Sequence, residues 1–210
     1  ELALKYKEAQ GLYNDAANLL SKKRHDVAKK MENAMTSELL ELNFNFASFE
    51  CRFSPLKKPT SDGLDSLEFY MSTNTGETPK PLSKIASGGE ISRIMLAFKT
   101  LTLEKFTDET LFFDEIDAGI SGLTAARVAK RLRNIAKKYQ VILITHLPQI
   151  AASEGTNFKI EKLTDENRTI STVKPLDACG KVMEIARLTG GEVITESTKE
   201  AARELIAKSK

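Results

Sequence analysis

Thr110-Leu111-Phe112-Phe113-Asp114-Glu115, followed after one helix-length interval by Val141-Ile142-Leu143-Ile144-Thr145-His146, decides the fold. Each segment is a short apolar run that ends in polar residues, the pattern of a strand buried in a sheet. Between them, from about Leu123 to Lys138, the spacing is helical. Strand, helix, strand at this interval predicts a crossover and a parallel sheet. Upstream, Gly88 to about Glu104 reads as a helix with Ile91, Ile94, Met95, Phe98 and Leu101 on one face. The fold class expected is therefore α/β.

On the C-terminal side, residues 156–163 and 168–174 read as a hairpin around Asp165-Glu166-Asn167, and two helices close the chain. The last helix carries a capping-box pattern, Ser197 to Glu200, before Ala201, Ala202, Leu205 and Ile206. On the N-terminal side, Phe49, Cys51 and Phe53 alternate with Glu50 and Arg52. Leu67, Phe69, Met71 and Thr73 alternate again. Pro55, Pro59 and Asp62-Gly63 mark a turn region between them, and Asn74-Thr75-Gly76 with Pro79-Lys80-Pro81 makes a second break. Two antiparallel strands are expected here. Residues 1–42 hold no Pro and only Gly11, with apolar residues at Ala9, Leu12, Ala16 and Leu19. The spacing breaks at Ser21-Lys22-Lys23-Arg24-His25-Asp26 and resumes with Ala28, Met31, Met35, Leu39 and Leu42. This is the narrow seam of a coiled coil, or an amphipathic helix on a globular core.

The bulk properties set bounds. With 210 residues, the chain makes one domain, or a domain plus an extension. A 41% hydrophobic content supports a core, and a net charge of +2 gives no global argument for nucleic acid. Cys51 and Cys179 lack metal-type spacing, so unpaired thiols in a reducing compartment are expected. The sequence has no apolar run of membrane-spanning length and no signal peptide, so no membrane partner is expected. It begins at Glu1 rather than methionine, as expected of a fragment.

Three elements carry chemistry. In Ser87-Gly88-Gly89-Glu90 a serine stands at a helix start with an acid three residues on. That is a capping box, or a phosphate cradle at a glycine-lined helix N-terminus. Asp114 and Glu115 end a strand, at the edge where ligands bind in open α/β sheets. One of the two acids can hold Mg²⁺, and the other can orient or deprotonate an attacking water in phosphoryl transfer. The other reading is two acids in a solvated turn. His146 follows the second strand and can reach a phosphate there, or be a plain surface histidine. His25 lies in the basic break of the first helix and carries no assigned role.

Together these elements resemble the C-terminal half of an ABC-type ATPase head. Ser87-Gly88-Gly89-Glu90 matches the signature motif, Leu111–Glu115 the Walker B strand with its glutamate, and His146 the switch histidine. The longer runs Leu82–Ala97, Phe113–Gly122 and Ile144–Ala151 resemble the RecN family of bacterial DNA-repair proteins, relatives of the SMC proteins, over most of residues 40–208.

The resemblance implies the C-terminal lobe of an ABC/SMC-type P-loop ATPase head, residues 44–210, with a coiled-coil arm segment at 1–43. It implies ATP and Mg²⁺ as cofactors. Asp114 would help hold Mg²⁺, Glu115 would be the general base or the group that polarises the attacking water, and His146 would sense the γ-phosphate. Ser87, Gly88, Gly89 and Glu90 would bind ATP held on a second head of a homodimer. Asp117, Gly119 and Ser121 fall in the D-loop that links the two shared sites. Transporters and most SMC proteins carry Asp where Ser121 stands, which leaves the D-loop contacts open. The implied function is ATP hydrolysis at a head–head interface in double-strand-break repair and recombination, in the bacterial cytoplasm on the nucleoid.

The phosphate loop that such a site needs is missing from this sequence. Gly180-Lys181 fails as a candidate, because Val182 follows and position 175 is Pro. The N-terminal half of the same head is thus an expected partner. Two basic groups could bind DNA without sequence preference: Lys22-Lys23-Arg24 with Lys29 and Lys30, and Arg127, Lys130, Arg131, Arg133, Lys137 and Lys138. A solvated helix face is the other reading. The alternative function is a non-catalytic DNA- or partner-binding module.

Overall fold

The computed structural model describes residues 1–85, 87–102, 110–165, 168–191 and 193–209. The chain forms two compact units, Glu1–Ser87 and Gly88–Lys210.

In the first unit, helix α1 (Leu2–Glu41) runs without a break through Ser21–Asp26. The basic run there contains good helix formers and no Gly or Pro, so only the apolar seam is interrupted. Strands β1 (Ser48–Thr60) and β2 (Gly63–Ser72) pair antiparallel, with Phe49 opposite Met71 and Phe53 opposite Leu67. A short β3 (Lys80–Pro81) joins the other side of β2, so β1 is an edge strand. Pro55 and Pro59 lie inside β1, not in the turn that their identity predicts. An edge strand tolerates the missing N–H, and the pairing is irregular between Pro55 and Thr60. The turn itself is confined to Ser61-Asp62, and Gly63 takes a φ of 105° to leave it.

The hairpin lies along α1 and is tied to it at several heights. Tyr13 Oη lies 3.0 Å from the Thr60 carbonyl and 3.1 Å from that of Gly63, at the hairpin tip. His25 stacks on Phe53 with ring centroids 4.0 Å apart. The Glu32 carboxylate accepts the Cys51 N–H at 2.8 Å. The C-terminal part of the seam, Ala28, Met35, Leu39 and Leu42, is buried, as are Phe49 and Met71 of the hairpin. The N-terminal part differs: Ala17 is buried, while Leu12 is 73% exposed and Leu19 57%.

In the second unit, α2 (Gly88–Leu101) precedes β4 (Thr110–Phe113), α3 (Gly122–Ala136) and β5 (Gln140–Leu143). Strands β4 and β5 pair in parallel, with Leu111 opposite Val141 and Phe113 opposite Leu143, which is the expected crossover. Helix α3 buries Ala125, Val128, Ala129, Leu132 and Ile135 at helical spacing. The short α4 (Pro148–Ala151) follows, then the hairpin β6 (Phe158–Asp165) and β7 (Arg168–Pro175). The expected turn residues Glu166-Asn167 and the expected end of α2 at Glu104 lie outside the described residues. Helices α5 (Ala178–Gly190) and α6 (Glu196–Lys208) pack around Ala152, Ile185, Ala186 and Ala202.

The capping box of α6 stands before the predicted one. Thr195, not Ser197, is the N-cap: its hydroxyl accepts the Thr198 N–H, and the Thr198 hydroxyl accepts the Thr195 N–H. Ser197 therefore lies inside the first turn. Cys51 and Cys179 are both free thiols, as expected. Among the described residues no helix is long and apolar enough to cross a membrane.

Leu39 is fully buried and Leu12 is exposed on the same helix. Leu39→Ala is expected to lower the unfolding free energy by about 2–5 kcal/mol in urea titrations. Leu12→Ala should change it by less than about 0.5 kcal/mol.

Candidate functional site

The parallel pairing of β4 and β5 sends both chains out of the sheet at the same edge. Strand β4 delivers Asp114 and Glu115 there, and β5 delivers Thr145 and His146. Asp114 and Glu115 are exposed. Glu115 has a φ of 54°, in the left-handed region that non-glycine residues rarely occupy. Such a conformation costs on the order of 1–2 kcal/mol. It folds the chain at once into a tight loop, in which Ala118 N–H donates to the Glu115 carbonyl at 3.0 Å. Gly119 continues that loop at a φ of 73°, which glycine adopts without strain.

Asp117 is the centre of the arrangement. It is 3% exposed, and its Oδ2 accepts from the Thr145 hydroxyl, from His146 N–H at 2.9 Å and from Leu147 N–H at 3.3 Å. His146 Nδ1 lies 3.2 Å from the same oxygen. A buried carboxylate is tolerable only with several donors, and this one has them. The loop after β4 and the turn after β5 are thereby held as one piece. The His146 side chain remains 71% exposed.

Helix α2 approaches the same loop through its two glycines. A Cβ on Gly89 would stand 2.7 Å from Ala118 Cβ and 2.9 Å from the Glu115 carbonyl oxygen. A Cβ on Gly88 would stand 2.6 Å from Glu115 Oε2. Ser92 Oγ donates to the Asp114 carbonyl at 2.6 Å, and Arg93 Nη1 donates to the Ala118 carbonyl at 2.7 Å. Arg93 is buried, which lowers its pKa from the usual value, while the charge of Glu90 in the first turn acts the other way.

This packing turns α2 relative to the sequence expectation. The buried residues are Gly89, Arg93, Ile94, Leu96 and Ala97, while Ile91, Met95 and Leu101 are exposed. Glycine at 89 allows a close backbone approach that a larger apolar residue would block. The hydrogen bond to Ala118 then holds Arg93 on the buried side.

Of the residues singled out in the sequence, Gly88, Gly89, Asp114, Glu115, Asp117 and His146 converge on this loop. Ser87 is exposed immediately before α2. Gly119 is exposed with open space about it. Ser121 is the N-cap of α3, its carbonyl accepting the Ala125 N–H at 2.8 Å, with no capping bond from its side chain. Sequence reasoning overlooked Ser92, Arg93 and the Thr145 hydroxyl. Arginine between Ile91 and Ile94 was the available signal for Arg93.

Gly180-Lys181 is fully occupied elsewhere. Gly180 N–H donates to the Asp177 carboxylate at 2.6 Å, capping α5, and Lys181 Nζ donates to the Ser153 carbonyl at 2.6 Å. Among the described residues no group of three or more His, Cys, Asp and Glu could hold a metal ion. The donor set at this edge, the exposed carboxylates of Asp114 and Glu115, fits Mg²⁺ but not a protein-caged metal. Mg²⁺ takes one or two carboxylates and completes its shell with water and phosphate oxygens. The glycine-lined start of α2 fits an anion.

Gly89→Ala must displace backbone, whereas Gly88→Ala meets only the movable end of Glu115. Gly89→Ala is expected to lower stability by about 1–3 kcal/mol in denaturant unfolding. Gly88→Ala should cost clearly less, and equal losses would contradict the packing described.

No protein-family model matches the chain. It is 43% identical over 197 residues to the DNA repair protein RecN of Rickettsia conorii, covering 94% of this chain and 36% of that protein. It is 43% identical over 187 residues to RecN of Halalkalibacterium halodurans, covering 87% and 33%, and 39% identical over 191 residues to RecN of Haemophilus influenzae, covering 90% and 34%. The chain thus spans about a third of the length of these relatives. Among solved structures, the Smc head domain with a coiled coil and joint from Pyrococcus yayanosii aligns with a TM-score of 0.54 at 20% identity, over 90% of this chain and 36% of that one. The Smc head domain with an extended coiled coil from Pyrococcus furiosus aligns with a TM-score of 0.52 at 22% identity, over 86% and 42%. The fold is therefore α/β, the C-terminal lobe of an ABC/SMC-type head with a helical segment before it. Over the segment that it shares with these relatives, the chain belongs to the RecN family.

Proposed function

We propose that this chain is the C-terminal part of an ATPase head that binds and hydrolyses ATP between two engaged heads, in bacterial double-strand-break repair and recombination. One observation carries the reading: Asp114, Glu115 and His146 leave one edge of a parallel sheet and are held there through Asp117. That edge is the ligand-binding edge of open α/β sheets.

In this reading Asp114 holds Mg²⁺ and Glu115 takes a proton from the attacking water. Mg²⁺ supplies charge neutralisation on the phosphate oxygens when bound. His146 faces the terminal phosphate of the same nucleotide. Ser87, Gly88, Gly89 and Glu90 meet the nucleotide of a second head. Asp117, Gly119 and Ser121 form the loop between the two sites.

Surfaces that this chain leaves uncovered support the partners of this reading. Phe112 is 60% exposed and Ile142 45%, and both line a groove with Ile144, Phe158, Ile160 and Val173. An apolar surface of this kind supports docking of the N-terminal half of the same head, which would bring the phosphate loop. Residues 1–43 would be the arm segment, with exposed Leu12 and Leu19 available to a second helix. Residues 44–210 would be the lobe. On α3 and just past its end, Lys130, Lys137 and Lys138 are exposed, which supports DNA binding without sequence preference. The site of action would be the bacterial cytoplasm, on the nucleoid. A non-catalytic DNA- or partner-binding module is the second reading, favoured by that basic face.

Glu115→Gln, assembled with the N-terminal half, is expected to reduce ATP turnover by about 100-fold or more while ATP-dependent pairing of heads persists in size-exclusion runs. Unchanged turnover would remove the general-base role. For DNA, Lys130→Glu with Lys137→Glu should weaken binding and flatten its dependence on salt, by about 0.9 in slope for each phosphate no longer neutralised. An unaltered slope would leave α3 as a solvated face.

A further inference from the structure

We propose that Asp117 is a positioning residue that sets the tautomer of His146, placing the proton of the neutral ring on Nδ1 and leaving Nε2 bare and directed outward. The inference rests on the reading of His146 as the phosphate-facing histidine, but the tautomer itself is a property of this chain.

The geometry comes from the backbone. Asp117 Oδ2 already accepts His146 N–H at 2.9 Å and Leu147 N–H at 3.3 Å, as well as the Thr145 hydroxyl. Those bonds hold the His146 backbone beside the carboxylate. Nδ1 is the ring nitrogen nearer the backbone, and it lies 3.2 Å from the same oxygen. An ionised carboxylate can only accept. At that distance a bare Nδ1 would set its negative partial charge beside the carboxylate, whereas a protonated Nδ1 sets a positive one there. Asp117 has 2% of its side chain exposed, so water does not screen that opposition, while 71% of the His146 side chain is open to solvent.

The assignment has a chemical consequence. In the neutral ring the exposed Nε2 is an acceptor. It can take a hydrogen bond from water, but it can donate to a phosphate oxygen only after gaining a second proton. Asp117 thereby acts through His146 and not on the ligand.

The chain has only two histidines, which makes the test direct. His25 Nδ1 lies 2.9 Å from the Ser21 carbonyl, another acceptor, and serves as the internal control. The 210-residue chain, ¹⁵N-labelled at histidine, is measured by long-range ¹H–¹⁵N correlation at a pH of about 9, where ordinary imidazoles are neutral. His25→Gln assigns the signals. The expected result is the Nδ1–H pattern for His146. Asp117→Ala should move His146 toward the Nε2–H form while His25 stays unchanged. Thr145→Val, which removes another partner of the same oxygen, should leave the His146 pattern in place. An Nε2–H pattern for His146 in the unsubstituted chain overturns the proposal, and that measurement stands even where Asp117→Ala fails to fold. An Nδ1–H pattern that survives in folded Asp117→Ala overturns it too. No nucleotide enters this measurement. Loss or retention of turnover in a His146→Ala assembly tests the phosphate-facing role separately.

Discussion

The carboxylate of Asp117 sits almost out of water at the junction of two strand ends, and the rest of the site depends on how it is satisfied. An ionised carboxylate in such a place is costly unless donors surround it. Here the donors all come from one turn, the Thr145 hydroxyl and the N–H groups of His146 and Leu147. The burial cost and the bonds that offset it therefore act as a single constraint. The turn after β5 cannot leave the loop after β4 without exposing or orphaning that charge. The exposed groups at the edge, Asp114, Glu115 and His146, are fixed at their backbones although their side chains remain open to solvent.

A second constraint joins the helix to that edge. Gly89 leaves no room for a Cβ, and Ser92 and Arg93 bond to the carbonyls of Asp114 and Ala118. The helix that begins with Gly88 and Gly89 and the loop that carries the acids are thus parts of one packed piece. Under the proposed function these two features serve different nucleotides, one on each head. Their rigid connection gives a physical route by which engagement of one site would be felt at the other. The strained φ of Glu115 belongs to the same piece, because it is what turns the chain from β4 directly into the loop under α2.

Much of this was legible from the residues. The crossover from Thr110–Phe113 to Gln140–Leu143 follows from two apolar runs and the helical spacing between them. The convergence of Asp114, Glu115 and His146 on one edge follows from parallel pairing. What was not legible depended on neighbours distant in sequence. The prolines of β1 suggested a turn, because nothing local shows that Pro55 and Pro59 will stand on an edge strand. The apolar pattern of α2 pointed to Ile91 and Met95, and only the close approach at Gly89 explains why Arg93 is buried instead. The capping box of α6 was displaced because Ser197 and Glu200 fit the pattern as well as Thr195 and Thr198 do. Asp117 was read only as part of the loop that links two sites, and its burial is invisible without the turn at 145–147.

Under the proposed function, this chain holds the acids, the histidine and the signature helix of shared ATP sites but requires the N-terminal half of the head to complete one. The decisive experiment measures ATP turnover for this chain alone, for a separately produced N-terminal half carrying the phosphate loop, and for the two mixed. Turnover is expected in the mixture and should be negligible in either part. Turnover by this chain alone at the rate of the mixture would refute the shared-site reading.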